Sequence, residues 1–247
     1  MPPMDVVSMG ALRVRRVVVH PEHAGKSDGS RALTVVLLHG FGAPGDDLVG
    51  LAGAVGAPPG TTFLFPEAPH DLAEFTSLPV YGGARAWWMV DVGRYERALS
   101  SGRLGDVIDE VPDGLDEARA ALASMFDALA KQGTPSELVV VGGFSQGSML
   151  SVDFALRDAR PLRGLVVMSG ALIAASEWRP RMKARAGMPL FQSHGTHDPI
   201  LPYEVAKLLN RELVSAGLVG DFLSFAGGHG IPPETMRDLG TWLGSIA

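Results

Sequence analysis

The stretch Glu137–Leu156, ELVVVGGFSQGSMLSVDFAL, decides how this chain is read. It begins with a short apolar run, Leu138–Val141, such as a buried strand presents. It ends with a segment apolar on nearly every side, as a fully buried helix would be. Between the two, Gly143-Phe144-Ser145-Gln146-Gly147 fits G-x-S-x-G. A serine on a sharp strand-to-helix turn takes strained backbone angles, so the residues two before and two after it must lack side chains. Its hydroxyl is thrust out at the strand end, at the positive end of the following helix, where a developing oxyanion is favoured. Ser145 is therefore the candidate nucleophile. Glycine-rich turns also join strand to helix without any chemical duty, so the remaining parts of a site have to be found elsewhere in the chain.

Working outward, Leu33–Leu38 (LTVVLL) and Leu165–Met168 read as further buried strands, Pro189–Ser193 and Phe222–Phe225 as later strands, and Thr62–Phe65 as a short one closed by Pro66. Leu12–Val19 alternates with arginines interleaved, which predicts an edge strand with one wet face. Leu115, Ala118, Leu122, Phe126 and Leu129 recur at helical spacing, with Pro112 in the first turn and Gly133 and Pro135 as the stop. Pro202 opens a second helix that Gly217 ends, Pro233–Ile246 forms a last one, and Gly45-Asp46-Asp47 offers a helix start before Leu48–Val55. His20–Arg31 reads as a polar loop, and Ser169–Gly187 as irregular and basic, with Trp178 in it. Alternating strands and helices predict an α/β fold, a mostly parallel central sheet with helices on both faces. With no repeat or linker, 1–247 reads as a single domain. Within it, about 67–110 is a long connection rich in proline, glycine and aromatics, of a length that is usually functional.

Composition narrows the field. Lys and Arg number 21 against 27 Asp and Glu, a net charge of −6 without a basic cluster, so nucleic acid is not expected as a partner. The absence of cysteine excludes disulfides, thiolate metal sites and a cysteine nucleophile. No apolar run reaches membrane-spanning length, and the opening MPPMDVVSMGALRVRRVVVH lacks the basic-then-apolar layout of a secretion signal. The expectation is a cytoplasmic protein without a membrane span.

In an open parallel sheet, ligands sit beyond the carboxyl ends of the strands. A serine hydroxyl needs a general base within hydrogen-bond reach, itself oriented by a carboxylate, and the order Ser, Asp, His suits this architecture. Asp198 follows one late strand, in His194-Gly195-Thr196-His197-Asp198, and His229 follows the last, in a glycine-rich turn. Of the other histidines, His39 and His194 precede glycines at strand ends and read as structural; His20, His23 and His70 lie in irregular segments. Asp221 begins a strand at the wrong end of the sheet, and Asp153 sits within the helix after the corner. A metal at His194, His197 and Asp198 is disfavoured, because a loop does not fix ligand geometry as helical i, i+4 spacing does. The oxyanion donors expected are the backbone N–H groups of Gln146 and of Phe41, in His39-Gly40-Phe41-Gly42. Trp87, Trp88 and Met89 are candidates to wall an apolar substrate pocket, with ordinary core packing as the alternative.

Together LLHGFG, GGFSQGSML, HGTHDPILP and GGHGIPPE resemble the carboxylesterase and phospholipase group of α/β hydrolases, which includes acyl-protein thioesterases and lysophospholipases. The resemblance runs from Leu33 to the C-terminus. It implies the α/β-hydrolase fold, with Ser145 as nucleophile, His229 as base and acid, Asp198 as orienting carboxylate and no cofactor. The middle differs: the group's shorter tract ends in tryptophan, an aromatic and aspartate, where this chain reads Arg85-Ala86-Trp87-Trp88-Met89-Val90-Asp91. The expected activity is a serine carboxylesterase acting on small to medium-chain esters through an acyl-enzyme. The alternatives are a lysophospholipase or acyl-protein thioesterase, or a non-catalytic binding protein on the same fold. The oligomeric state is open.

Overall fold

The computed structural model describes residues 4–20, 32–75, 83–90, 105 and 108–247. Most of the expected polar loop (21–31), together with Tyr81, Gly82, Asp91 and 92–104 of the long connection, lies outside the described residues. The described strands are β1 (Met4–Met9), β2 (Leu12–Val18), β3 (Thr34–Leu38), β4 (Thr62–Pro66), β5 (His70–Asp71), β6 (Arg85–Ala86), β7 (Val139–Phe144), β8 (Gly164–Met168), β9 (Leu190–Gly195) and β10 (Phe222–Phe225). The helices are α1 (Leu51–Ala54), α2 (Leu115–Lys131), α3 (Gln146–Arg157), α4 (Ala175–Met182), α5 (Tyr203–Ser215) and α6 (Pro233–Ile246).

Eight strands form one sheet in the order β1-β2-β4-β3-β7-β8-β9-β10, and β5 pairs with β6 in a separate ribbon. From β4 through β10 every pairing is parallel, while β2 meets β4, and β1 meets β2, antiparallel. Successive residues of a strand point to opposite faces. Val139, Val141, Leu165 and Val167 accordingly join a core under α2 to α5, and Val140, Val166 and Met168 a core under α1 and α6. Both faces are covered, which is why β3, β7 and β8 read as unbroken apolar runs. Helix α3 lies against β7, β8, α2 and α4, so it is buried from Gln146 to Leu156.

Several expectations are corrected. Leu12–Val19 is not an edge: β2 lies between β1 and β4, and its alternation comes from one polar face, not from a missing neighbour. Pro112 precedes α2 instead of sitting in its first turn, because Gly114 at the cap has φ +88°, which breaks the helical path. Ser169–Gly187 is not irregular throughout. It contains α4, which carries Pro180 internally and buries Trp178 and Met182. Helix α1 is a single turn, with residues 45–50 in turns ahead of it. Strand β9 runs on through His194 and Gly195.

Candidate active site

The corner after β7 carries the strain its motif implies. Ser145 caps α3 at φ 53°, ψ −121°, and its N–H donates to the carbonyl of Met168 at 2.9 Å. A left-handed φ in a non-glycine residue costs of order 1–3 kcal/mol and persists only where the surroundings enforce it. Here close approach enforces it. A Cβ on Gly143 would stand 2.4 Å from the carbonyl oxygen of Leu38, and one on Gly147 would stand 2.1 Å from that same oxygen. The end of β3 thus presses on both glycines flanking the serine. Gly40 lies against the corner as well, its hypothetical Cβ 3.3 Å from that of Ser145.

Asp198 and His229 meet beyond β9 and β10. The His229 Nδ1–H donates to Asp198 Oδ2 at 2.7 Å, which leaves Nε2 with its lone pair. The turn that carries His229 is stitched to the loop that carries Asp198: His197 N–H donates to Gly227 O and Thr196 N–H to Phe225 O, each at 2.9 Å. Gly195 permits this approach, since a Cβ there would stand 2.2 Å from Gly228 O. The imidazole of His229 packs on the ring of Phe144, immediately before Ser145, with centroids 4.8 Å apart.

The Asp198 side chain has no exposed area, and its oxygens receive four donors. Oδ1 accepts the N–H groups of Ile200 (2.8 Å) and Leu201 (2.9 Å). Oδ2 faces His229 and, at 3.2 Å, the Nε2 of His194. Burial by itself would raise the carboxyl pKa. The hydrogen bonds from His194, His229, Leu201 and Ile200 outweigh it and hold the group well below the usual carboxylate range.

His194 is structural as expected, and its contact with the acid is what the sequence reading did not anticipate. It is fully buried, its Nε2 also reaches Leu201 O at 2.9 Å, and its Nδ1 finds no partner among the described residues. A histidine four residues before the acid, on the strand that delivers it, was the available signal. His39 is structural as expected: its Nε2 accepts the Ala68 N–H at 3.1 Å, so Nδ1–H donates to Gly40 O at 2.9 Å. Burial pushes its pKa down and keeps it neutral. His70 packs edge-on against Phe75, and His23 lies outside the described residues. His197 is exposed and meets Thr196. Asp221 precedes β10 at its amino end, and Asp153 is tied to Arg119, Arg157 and Trp178.

The N–H groups of Phe41 and Gln146 donate to no backbone acceptor among the described residues. Of the three pocket candidates, Trp87 is 0% and Trp88 3% exposed, both within the core, and Met89 is 44% exposed. An indole buried this way needs a partner for its N–H. Trp87 Nε1 finds it in His39 O at 2.9 Å. The Gln146 side chain is buried too, and bonds the backbone of Trp87 and Trp88. Among the described residues no three His, Asp or Glu side chains converge on a metal position, and no helix is long and apolar enough to cross a membrane.

A mostly parallel sheet with helices on both faces and a strained serine after its central strand defines an α/β hydrolase. The sequence profile of the Phospholipase/Carboxylesterase family matches residues 24–246. The chain belongs to that family and is a serine hydrolase. It is 27% identical over 229 residues to acyl-protein thioesterase 1 of Cryptococcus neoformans var. neoformans serotype D, covering 85% of this chain and 90% of that one. It is 29% identical to a probable carboxylesterase of Oryza sativa subsp. japonica, over 85% of this chain and 76% of the other. Among solved structures, a carboxylesterase from Mesorhizobium loti shares the fold at a TM-score of 0.71 and 17% identity, covering 98% of each chain.

Proposed function

We propose that this protein is a carboxylesterase acting on small to medium-chain esters, with Ser145 as nucleophile, His229 as general base and acid, and Asp198 as its orienting carboxylate. The observation that carries the reading is the 2.7 Å bond from His229 Nδ1 to Asp198, on a ring packed against the residue before Ser145. With Nδ1–H committed to an anion, Nε2 is left to take the serine proton as Ser145 Oγ attacks the ester carbonyl. The alkoxide oxygen of the tetrahedral intermediate is received by the N–H groups of Phe41 and Gln146, each worth about 3 kcal/mol. Collapse expels the alcohol, which leaves with the proton from His229. Water activated by His229 then attacks the acyl-enzyme and releases the acid and Ser145.

No cofactor enters this scheme. On the same reading 1–247 is one catalytic unit, with the described parts of the 67–110 connection on the substrate side, and the enzyme works on a small-molecule ester in the cytoplasm. Cell fractionation tests the last point. Ser145→Ala and His229→Ala are expected to lower kcat by about 10⁴-fold or more without unfolding the protein. A fluorophosphonate should label the wild type stoichiometrically and Ser145→Ala not at all. A folded wild type that takes no label would favour the binding-protein reading. A second enzymatic reading, an acyl-protein thioesterase or lysophospholipase, draws on the relatives of that first name at 27–29% identity. A series of p-nitrophenyl esters of rising chain length, run beside a long-chain thioester, separates the two. Strong preference for the thioester would displace the carboxylesterase reading.

A further inference from the structure

Resting on the reading above, we propose that the Gln146 side chain sets the spacing between the two oxyanion donors, by clamping the Arg85–Trp88 segment that also holds the Phe41 loop. The two donors come from separate loops, one after β3 and one after β7. Donors must stand about 2.7–3.1 Å from the oxyanion to act, and a misplacement of about 1 Å costs about 10²-fold in rate. The Gln146 N–H is fixed by the strained corner. The Phe41 loop has only the bonds of His39 Nδ1–H and Ala43 N–H to Gly40 O within itself, among the described residues: Phe41 is 36% exposed, and Gly42, at φ +79°, has open space where a side chain would be.

What ties that loop down is the segment 85–88. Gly42 N–H donates to Arg85 O at 2.9 Å, and Arg85 N–H returns a bond to Ala43 O at 3.1 Å. Trp87 adds its indole N–H to His39 O at 2.9 Å. The segment is itself anchored from below, with the Arg85 guanidinium bonded to the carbonyls of Ala68 (2.5 Å) and Pro69 (2.9 Å). On its other side Trp87 N–H donates to Gln146 Oε1 at 3.0 Å, and Gln146 Nε2 donates to Trp88 O at 2.8 Å. The bridge therefore runs without a break from the Phe41 loop through residues 85–88 to the residue that supplies the second donor.

The chemistry asks for glutamine in particular. The bridge needs one acceptor and one donor on the same planar group, and Gln146 supplies both at 1% exposure, where water does not compete. Glutamate would turn a second acceptor toward Trp88 O, and asparagine is one methylene shorter. A bland alternative is that Gln146 only satisfies two buried backbone groups. That role predicts a loss of stability. The positioning role predicts a loss confined to the transition state.

The test is Gln146→Met, which keeps the backbone N–H and the side-chain length but removes both bonds, beside Trp87→Phe, which removes the indole bond to His39, with some ring packing, but leaves the backbone bond to Gln146. Each variant is titrated to completion with a fluorophosphonate, so that kcat is counted per reactive serine. KM for a short p-nitrophenyl ester and inhibition by an alkyl trifluoromethyl ketone are measured alongside. Gln146→Met is expected to lose about 30–100-fold in kcat with KM within about threefold, and to bind the ketone more weakly by a matching factor. Trp87→Phe should lose about 5–10-fold in the same pattern. Unchanged kcat per titrated serine in either variant, or losses that leave ketone affinity intact, overturn the proposal; if Gln146→Met fails to fold, Trp87→Phe decides. A wild type that takes no label, or an active Ser145→Ala, would instead overturn the nucleophile assignment on which this rests.

Discussion

Asp153 and Asp198 both have side chains at 0% exposure, yet their surroundings differ in kind. Asp153, in the helix that follows the serine, is held by Arg119 at 2.9 Å, Arg157 at 3.4 Å and the indole N–H of Trp178 at 2.9 Å. Those bonds join α3 to α2 and α4, and the two guanidiniums stay charged at any physiological pH. Asp198, by contrast, meets no arginine among the described residues: its partners there are two imidazoles and two backbone N–H groups. A carboxylate neutralised by permanent cations braces a fold. One whose partner can gain a proton stabilises the imidazolium as it forms.

The contrast breaks most visibly in variants. Asp198→Asn should lower kcat by about 10⁴-fold in protein that still folds, since the amide favours the wrong tautomer of His229. Steady-state kinetics on folded protein checks this, and an equal loss in Asp221→Asn would mean that the acid is misassigned. Asp153→Ala should do the reverse. Losing the shared carboxylate costs about 3 kcal/mol, the lower end for a buried pair because both arginines keep Asp116. Thermal denaturation should show a fall of about 6–12 °C, with kcat per folded molecule within about threefold.

His194 sharpens the comparison from the Asp198 side. His194→Phe removes its hydrogen bond to Asp198. At a fixed pH, kcat should fall severalfold as the acid loses one of its four donors; an unchanged kcat would make His194 a packing residue only. The smallest effect expected is one of pH on stability. His39 has its folded pKa depressed by burial, so the unfolded chain binds more protons once pH falls below about 6.5. Stability contributed at neutral pH should therefore decline through that range. Urea midpoints at pH 7.5 and 5.5 should differ less in His39→Gln than in the wild type.

How far each part could be read in advance follows from the same physics. Strands β3, β7 and β8 announced themselves because both of their faces are covered, and the chemistry-bearing residues follow strand ends in the order the fold imposes. Strand β1 did not, because Met4, Asp5, Val6 and Ser8 are exposed and only its pairing with β2 makes it a strand. That pairing also moved β2 inward, since edge position depends on a neighbour and not on a strand's own pattern. Helix α4 was hidden by Pro180 and its basic residues, its folding being driven by burial of Trp178. The two-residue ribbon of β5 and β6 has no period to detect. Gln146 and Trp87 were noticed for a backbone donor and for an apolar ring, while their side-chain hydrogen bonds belong to tertiary packing that no local pattern records.

The backbone at Ser145, held at φ 53°, carries one more consequence. Glycine alone sits there without steric protest, so Ser145→Gly should unfold at higher urea than Ser145→Ala despite shedding the same hydroxyl. Natural selection for turnover thus keeps at this corner a residue that folding would discard. Along any lineage released from that demand, replacement by glycine would make the protein hardier as it fell silent.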